Sequence, residues 1–523
     1  MRALLTAVAL AVLPAPAQAS CPVAPDASKI PSAARLRQLN SIINHGARPT
    51  GSALQARYVR WIRDRLKSVP GVKLSRLDYT ISRFTPSSTR LELRIGKRVR
   101  KLAVAGPVPY AKPTGKRGVT APVAVVADDQ QITAANSAGK IVLRHAPAGS
   151  VPNAAFLLPV VSWSTYDPNN TIDPTKNFYG DFINYNLRVA DLREAAKAGA
   201  KAVLFYKDLP TRQLRGHIEP YEGERWHVPA AFLGADEGKR IGDAVAKGAR
   251  VRLTLRASYK RVHTQTVIAT IKGQTPQRIV IDSHTDGTNA VEDNGPVAMT
   301  AMARYMAALP AACRPRTLQF VFPTAHFYQR LVDPKKRYGG AGVIAETLDR
   351  DYDKGTVSSV VVLEHLGARS YDVVARTDGG PGGVLKLNGL REIQFLAITP
   401  SPSLVQTARD VVQKYDMQRT ILLQGADTPS EHSPSHCSFG GEGTPYNVHL
   451  LPTVASIAAP QSLYDPPFGL GGIDFSVMRS EMLGYTELLN RLGTMSQQDV
   501  AGEVTVERQR RAAGMTTPCP PEN

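Results

Sequence analysis

The sequence predicts an α/β fold, a mostly parallel sheet flanked by helices, with a smaller β-rich module inserted in it. Three observations carry this. From Gln265 to Leu492, short apolar runs alternate with segments of helical periodicity, the pattern of a parallel sheet covered on both faces. Between Pro107 and Ala257 the texture changes to short strands joined by a helix or two, as in a self-contained module. The 523 residues also exceed the ~250–300 that a single core usually organises.

The elements follow in chain order. Residues 1–19 read as a secretory signal peptide: Arg2, then an apolar run from Ala3 to Leu13, then an Ala17-Gln18-Ala19 cleavage signal. The expected location is therefore secreted or periplasmic, with cleavage near Ala19. Gln18 stands where a lipobox needs an aliphatic residue, which argues against lipidation of Cys21, and no other apolar run could cross a bilayer. The core domain begins in 20–106. Leu36, Leu39, Ile42 and Ile43 mark one helix, the loop His45–Ser52 follows, and Tyr58, Ile62 and Leu66 mark a second. Val72 to Ile95 alternates as strands.

In the inserted module, 107–257, the strands are Val123–Val126, Gly139–Arg144, Ala200–Tyr206 and Gly248–Leu255. Helices cover Leu192–Ala198 and the stretch through Ile241 and Val245, and Ser162 to Asn186 reads as a polar surface excursion. The main core, 258–494, has strands at Val267–Ile271, Ile279–Asp282, Leu318–Phe322, Val357–Leu363, Ile393–Ile398 and Leu451–Ile457. Its helices are Val297–Leu309, Leu404–Lys414 and Phe475–Leu492. The tail, 495–523, reads as extended coil.

Lys plus Arg minus Asp plus Glu is 64 − 44, or +20. The excess is scattered, which fits a solvated basic surface with at most weak contact to anionic cell-surface material. Aromatics do not interleave with the basic clusters at Lys97–Lys101, Lys335–Arg337 and Arg508–Arg511, which argues against nucleic acid. Four cysteines in an exported chain suit disulfides, with three pairings open. Position alone would join Cys21 to Cys519, leaving Cys313 and Cys437 for each other.

The chemistry concentrates in Ile281–Pro296, IDSHTDGTNAVEDNGP, which an apolar strand feeds and a helix leaves. Working residues in open α/β sheets sit at the carboxyl ends of strands. His284 and Asp286, two apart in extended chain, point the same way, as a metal-binding imidazole and its orienting carboxylate would. Asp293-Asn294-Gly295-Pro296 also makes a good turn and helix start. Ser435-His436-Cys437 near Glu442 could be read as a nucleophile site, but no G-x-S-x-G elbow occurs in the chain.

A strand, H-x-D, then a loop to Asp-Asn before a small-residue helix resembles the M28 family of metallopeptidases. Arg48-Pro49-Thr50-Gly51-Ser52 is similar to that family's R-x-x-G-S loop. Gly139–Leu143, Ala198–Val203 and Val228-Pro229-Ala230 resemble the protease-associated (PA) domain often inserted in it.

The resemblance implies a zinc-peptidase-like core and a co-catalytic metal pair, but the residues depart from the pattern. His284 matches a histidine ligand, Asp293 the bridging aspartate and Glu364 the aspartate ligand. The family's Glu-Glu pair aligns with His326 and Phe327, and its last histidine with Asp465. Its Ser-Asp-His resembles either Ser430-Glu431-His432 or Ser435-His436-Cys437-Ser438-Phe439. One zinc on His284, Asp293 and Glu364 is then expected, two are not, and His326 stands as the base, with Asp286 orienting. His365, Asp465, His436 and His449 line the expected pocket. The expected activity is hydrolysis of a peptide or small amide. The alternative is a degenerate peptidase fold that binds peptide or cell-surface material.

Overall fold

The computed structural model describes residues 21–219, 224–327, 340–424 and 438–515. Two short helices open it, each started by a serine. Ser32 Oγ accepts from the Arg35 amide before Ala33–Asn40, and Ser52 Oγ accepts from the Gln55 amide before Ala53–Lys67. Their apolar stripes, Leu36 and Leu39 on one and Tyr58, Ile62 and Leu66 on the other, are buried against the core.

The strands expected within 72–95 and those expected at 248–255 and 267–271 are two long strands. Val72–Ile95 and Arg250–Ile271 pair antiparallel almost end to end, with a register shift between Pro86 and Ser88. This ribbon joins both halves of the molecule. At one end Val251 pairs with Ala121 of the insertion, and at the other Ala269 pairs with Phe320 of the core. One continuous sheet of 15 strands results.

Within the insertion Val119–Val126, Ile141–His145, Ala202–Tyr206 and Ala230–Leu233 run parallel. The segment read as a surface excursion returns to the core instead. Ser162–Tyr166 pairs antiparallel with Thr420–Leu423 at the edge of the core sheet, and Asn177–Gly180 pairs with Gly149–Pro152. An aromatic contact explains the return: Phe156 and Phe178 lie 4.8 and 5.3 Å from Phe395, ring centre to ring centre.

In the core, Arg316–Phe322, Thr275–Asp282, Val357–Leu363 and Thr453–Ala458 lie side by side and parallel. Val357–Leu363 is buried along its whole length, as a strand covered on both faces must be. Helices Gly295–Ala308, Pro402–Lys414 and Phe475–Thr494 cover one face. Helix Ala341–Asp353, absent from the sequence reading, covers the other, and the hairpin Arg369–Ala375/Gly383–Arg391 was also missed.

The tail is not coil as far as 515. Gln497–Ala501 and Val504–Ala512 are helices, and Arg508 reaches back to the carbonyls of His449 and Leu450 at 3.1 and 3.0 Å. Arg511 also pairs with Asp349, at 2.7 Å, so the polar sequence hides two docking arginines. Cys21 is bonded to Cys313 and not to Cys519. Cys437 and Cys519 lie outside the described residues. Among the described residues no helix is long and apolar enough to cross a membrane.

Two outcomes follow. A non-reducing peptide map should contain one crosslinked Cys21–Cys313 fragment, and Cys313→Ser should cost about 2–5 kcal/mol in urea denaturation; a Cys21–Cys519 fragment would refute this pairing. At the strand ends of the insertion, His145 lies 2.8 Å from both Asp128 and Asp208, which raise it from its ordinary value to about 9 against the opposing effect of burial. Its contribution to stability is therefore full below pH 6.5 and lost as pH rises through 9. An NMR titration in which the ring deprotonates near 6.5 would contradict that.

Candidate metal centre

The carboxyl ends of the central parallel strands deliver the site. His284 follows Thr275–Asp282 and Glu364-His365 follows Val357–Leu363, all three buried. The His284 Nδ1 edge is held by the Asp286 carbonyl at 2.7 Å, and His365 Nδ1 by the Ala458 carbonyl. Both rings therefore aim Nε2 inward. His365 sits at φ +58°, a left-handed conformation unusual for a non-glycine residue. Asn294 fixes that turn by exchanging two hydrogen bonds with Leu366, and Glu481 accepts from the Gly367 amide at 2.7 Å.

Glu364 Oε2 lies 3.4 Å from His284 Nε2 and 3.8 Å from His365 Nε2. None of the three atoms has a hydrogen-bond partner. Donors about 2.0–2.1 Å from a tetrahedral zinc are roughly 3.4 Å apart, so this trio fits one ion. The other Glu364 oxygen accepts from the Glu442 amide at 2.8 Å. Gly441 makes this approach possible, since a Cβ there would fall 2.4 Å from the Glu364 carboxylate.

Burial moves the charges as expected for a site prepared to receive a cation. It lowers His284 and His365 to about 4 and His326 well below the usual imidazole range, so the rings are neutral donors at pH 7. It raises Glu292 well above the carboxylate range, with the Glu364 and Asp293 charges adding to the effect. Glu292 Oε2 is also without a partner, and Oε1 lies 4.0 Å from His365 Nε2. Glu292 forms a second convergent group with His284 and His326, whose ring stacks on His284 with centres 4.0 Å apart.

The sequence-based ligand set is not the one that converges. Asp293 belongs to none of the convergent groups, because Arg48 takes both its oxygens, Nε to Oδ2 and Nη2 to Oδ1, each at 2.6 Å. His365, expected only as a pocket residue, stands in its place. The Asp286 carboxylate, expected to orient His284, does not touch that ring, which meets the Asp286 backbone carbonyl instead; the carboxylate accepts from Thr50 and, at 2.9 Å, from the Phe327 amide, and burial raises it to about 6. His326 is at the site's edge, Nδ1 3.9 Å from Glu442, while Phe327 is buried against Tyr464.

Asp465 is drawn into a separate ionic network. His217 Nδ1 lies 2.7 Å from it and Nε2 3.1 Å from Glu219, which binds Arg188 at 2.9 Å, and Lys207 binds Asp181 at 2.7 Å. His449 is at the far end of the short helix that follows Glu442, 3.1 Å from Asp349. Ser430-Glu431-His432 and Ser435-His436-Cys437 lie outside the described residues.

Glu292, Arg48 and His217 were not singled out as site residues from sequence, and Glu442 entered only beside the nucleophile reading at Ser435–Cys437. Glu292 and Arg48 carried a signal, one inside the acidic loop and the other inside the R-x-x-G-S motif.

The parallel α/β core thus brings histidine and carboxylate donors together at its strand ends. The chain shares its fold with an aminopeptidase from Aneurinibacillus sp. strain AM-1 (17% identity, 88% of this chain and 93% of that one, TM-score 0.52). It also matches a zinc aminopeptidase from Bacillus subtilis (16%, 91% and 99%, 0.57). A Peptidase M28 precursor from Shewanella amazonensis SB2B is a third match (14%, 89% and 96%, 0.58). No family model matches the chain, and no curated protein matches it by sequence. The fold is thus that of M28-type zinc peptidases.

The Arg48–Asp293 pair makes a direct prediction. Arg48→Ala strands a buried carboxylate and should cost about 3–5 kcal/mol in urea unfolding, whereas the double variant Arg48→Met/Asp293→Leu should recover a large part of it. Equal losses in the two would refute the pairing.

Proposed function

We propose that this chain is an exported hydrolase of peptide or small amide bonds that works with one zinc ion on His284, Glu364 and His365. The observation that carries the reading is the convergence of three buried, partnerless donor atoms, 3.4 and 3.8 Å apart across Glu364. Two histidines and a glutamate are a donor set for catalytic zinc, leaving a position open. A zinc ion bound there supplies a Lewis acid that polarises the scissile carbonyl.

The remaining work falls to the chain's own residues. Glu292 takes the base role in place of His326. Burial and the Glu364 and Asp293 charges raise its proton affinity, whereas burial leaves His326 too weak a base. Its free Oε2 accepts the proton of the attacking water and returns it to the leaving amine. His326, at the edge, faces the substrate, and Asp286 fixes the backbone of His326 and Phe327 by accepting their amides. Export is supported by the N-terminal signal pattern and by the Cys21–Cys313 bond, which suits an oxidising compartment.

Protein purified without added zinc should carry about one metal per chain and lose aminoacyl- or dipeptidyl-amide turnover to a chelator. Glu292→Gln should keep the metal and lower kcat by about 10²–10⁴-fold. His365→Ala should lose the metal itself. A metal-free, inactive chain even with zinc supplied sinks the hydrolase and leaves a binding module, the reading favoured by Phe327 at an expected ligand position and by Arg48 occupying Asp293.

A further inference from the structure

A second feature lies away from this centre, at the other end of helix Gly295–Ala308. Ten residues of α-helix separate the start of that helix from Tyr305, about 15 Å at 1.5 Å per residue. There, three helices enclose an open cleft of about 860 Å³. Each contributes a guanidinium: Arg35 from Ala33–Asn40, Arg65 from Ala53–Lys67 and Arg304 from Gly295–Ala308. Lys29 adds a fourth cation at the rim.

The acids do not balance these charges. Asp64 is the one carboxylate lining the cleft, and its recorded ion pair is with Arg63, at 3.5 Å. Lys29 has Asp26 at 3.7 Å. Among the described residues, none of the three arginines has an ion pair. Arg304 donates to the Arg65 carbonyl at 3.4 Å and to Ser68 Oγ at 3.3 Å, Arg35 reaches Gln38, and Arg65 Nε is buried with no partner. Arg65 also lies over the Trp61 ring, 4.8 Å from its centre, which holds the guanidinium at the cleft wall.

Gathering like charges from three helices raises the free energy of the empty cleft, and burial with the charges of Arg304 and Arg35 already weakens the proton affinity of Arg65. A bound anion relieves that repulsion. One arginine suffices to fork a carboxylate, whereas several cations approaching from different directions suit an oxyanion with more oxygens and more charge. Trp61 offers a flat apolar surface to whatever carries the anion.

We propose that this cleft is a binding site for phosphoryl oxyanions, separate from the metal centre and anchored by Arg35, Arg65 and Arg304. Free phosphates and phospholipid headgroups present the same chemistry, and two probes separate them. The full-length mature protein is titrated with inorganic pyrophosphate by calorimetry, and its co-sedimentation is measured with phosphatidylglycerol and with phosphatidylcholine vesicles.

Saturable binding of pyrophosphate, or of phosphatidylglycerol but not phosphatidylcholine vesicles, is expected, the first pointing to a soluble phosphate and the second to a headgroup. Arg65→Gln/Arg304→Gln should weaken it about tenfold or more. Arg35→Gln, an exposed change that spares the fold, should weaken it in the same direction. Arg98→Gln/Arg100→Gln removes two charges from an exposed hairpin and should leave binding unchanged. No saturable binding of either probe, or equal loss in the hairpin variant, overturns the proposal.

Discussion

The arrangement of the candidate metal centre depends on one buried ion pair. Arg48 spends every nitrogen of its guanidinium: on the two oxygens of Asp293, on the carbonyls of Ile43 and Gly46, and on the carbonyl of Asn289. It thereby ties the N-terminal loop to the loop that links His284 to the next helix. Glu292 and Asp293 are adjacent acids in that loop, and Arg48 claims the second. The first is left facing the histidines. Gly287 permits the tight turn, since a Cβ there would fall 2.8 Å from the Glu292 side chain, and its backbone bridges to Arg48 as well.

Buried charge is handled in two ways in this molecule, and the contrast gives the centre its meaning. At Arg48–Asp293 and in the network of Asp465, His217, Glu219, Arg188, Lys207 and Asp181, nearly every carboxylate meets a cation at hydrogen-bond distance. Around Glu364 the acids Glu292, Glu442 and Asp282 are equally buried, but neutral imidazoles and a tyrosine are their neighbours. Burial then pushes the acids toward their protonated forms, Asp282 to about 7. Unpaired buried charges cost several kcal/mol each, so such a cluster is stable only protonated or with a cation supplied from outside.

The fold and part of the site were legible because their signals are local. Strand and helix periodicities lie within a few residues of one another, and His284 and Glu364 sit one or two residues past apolar strands. What escaped the sequence is long-range. Arg48 and Asp293 are 245 positions apart, and His217 and Asp465 are 248 apart. Nothing near Asp293 in the chain announces that its oxygens are taken. The long ribbon Val72–Ile95/Arg250–Ile271 was broken into pieces for a related reason, since its half-exposed middle lacks the apolar run that marks a buried strand. Ser162–Tyr166 looked like surface because the strand it joins comes more than 250 residues later.

The departures from the family pattern form a connected set. With both its oxygens held by Arg48, Asp293 is not free to bridge two cations. The two positions expected from the resemblance to serve a second ion hold Phe327, which packs on Tyr464, and Asp465, which accepts from His217. In the reading proposed above, His365 serves as the third donor, held in a left-handed backbone that Asn294 clamps. Asp293, Phe327 and Asp465 are each matched by a contact within the fold. Partnerless donor atoms gather around His284, Glu364 and His365, with Glu292 and Glu442 beside them, and one oxygen of Asp465 is partnerless as well.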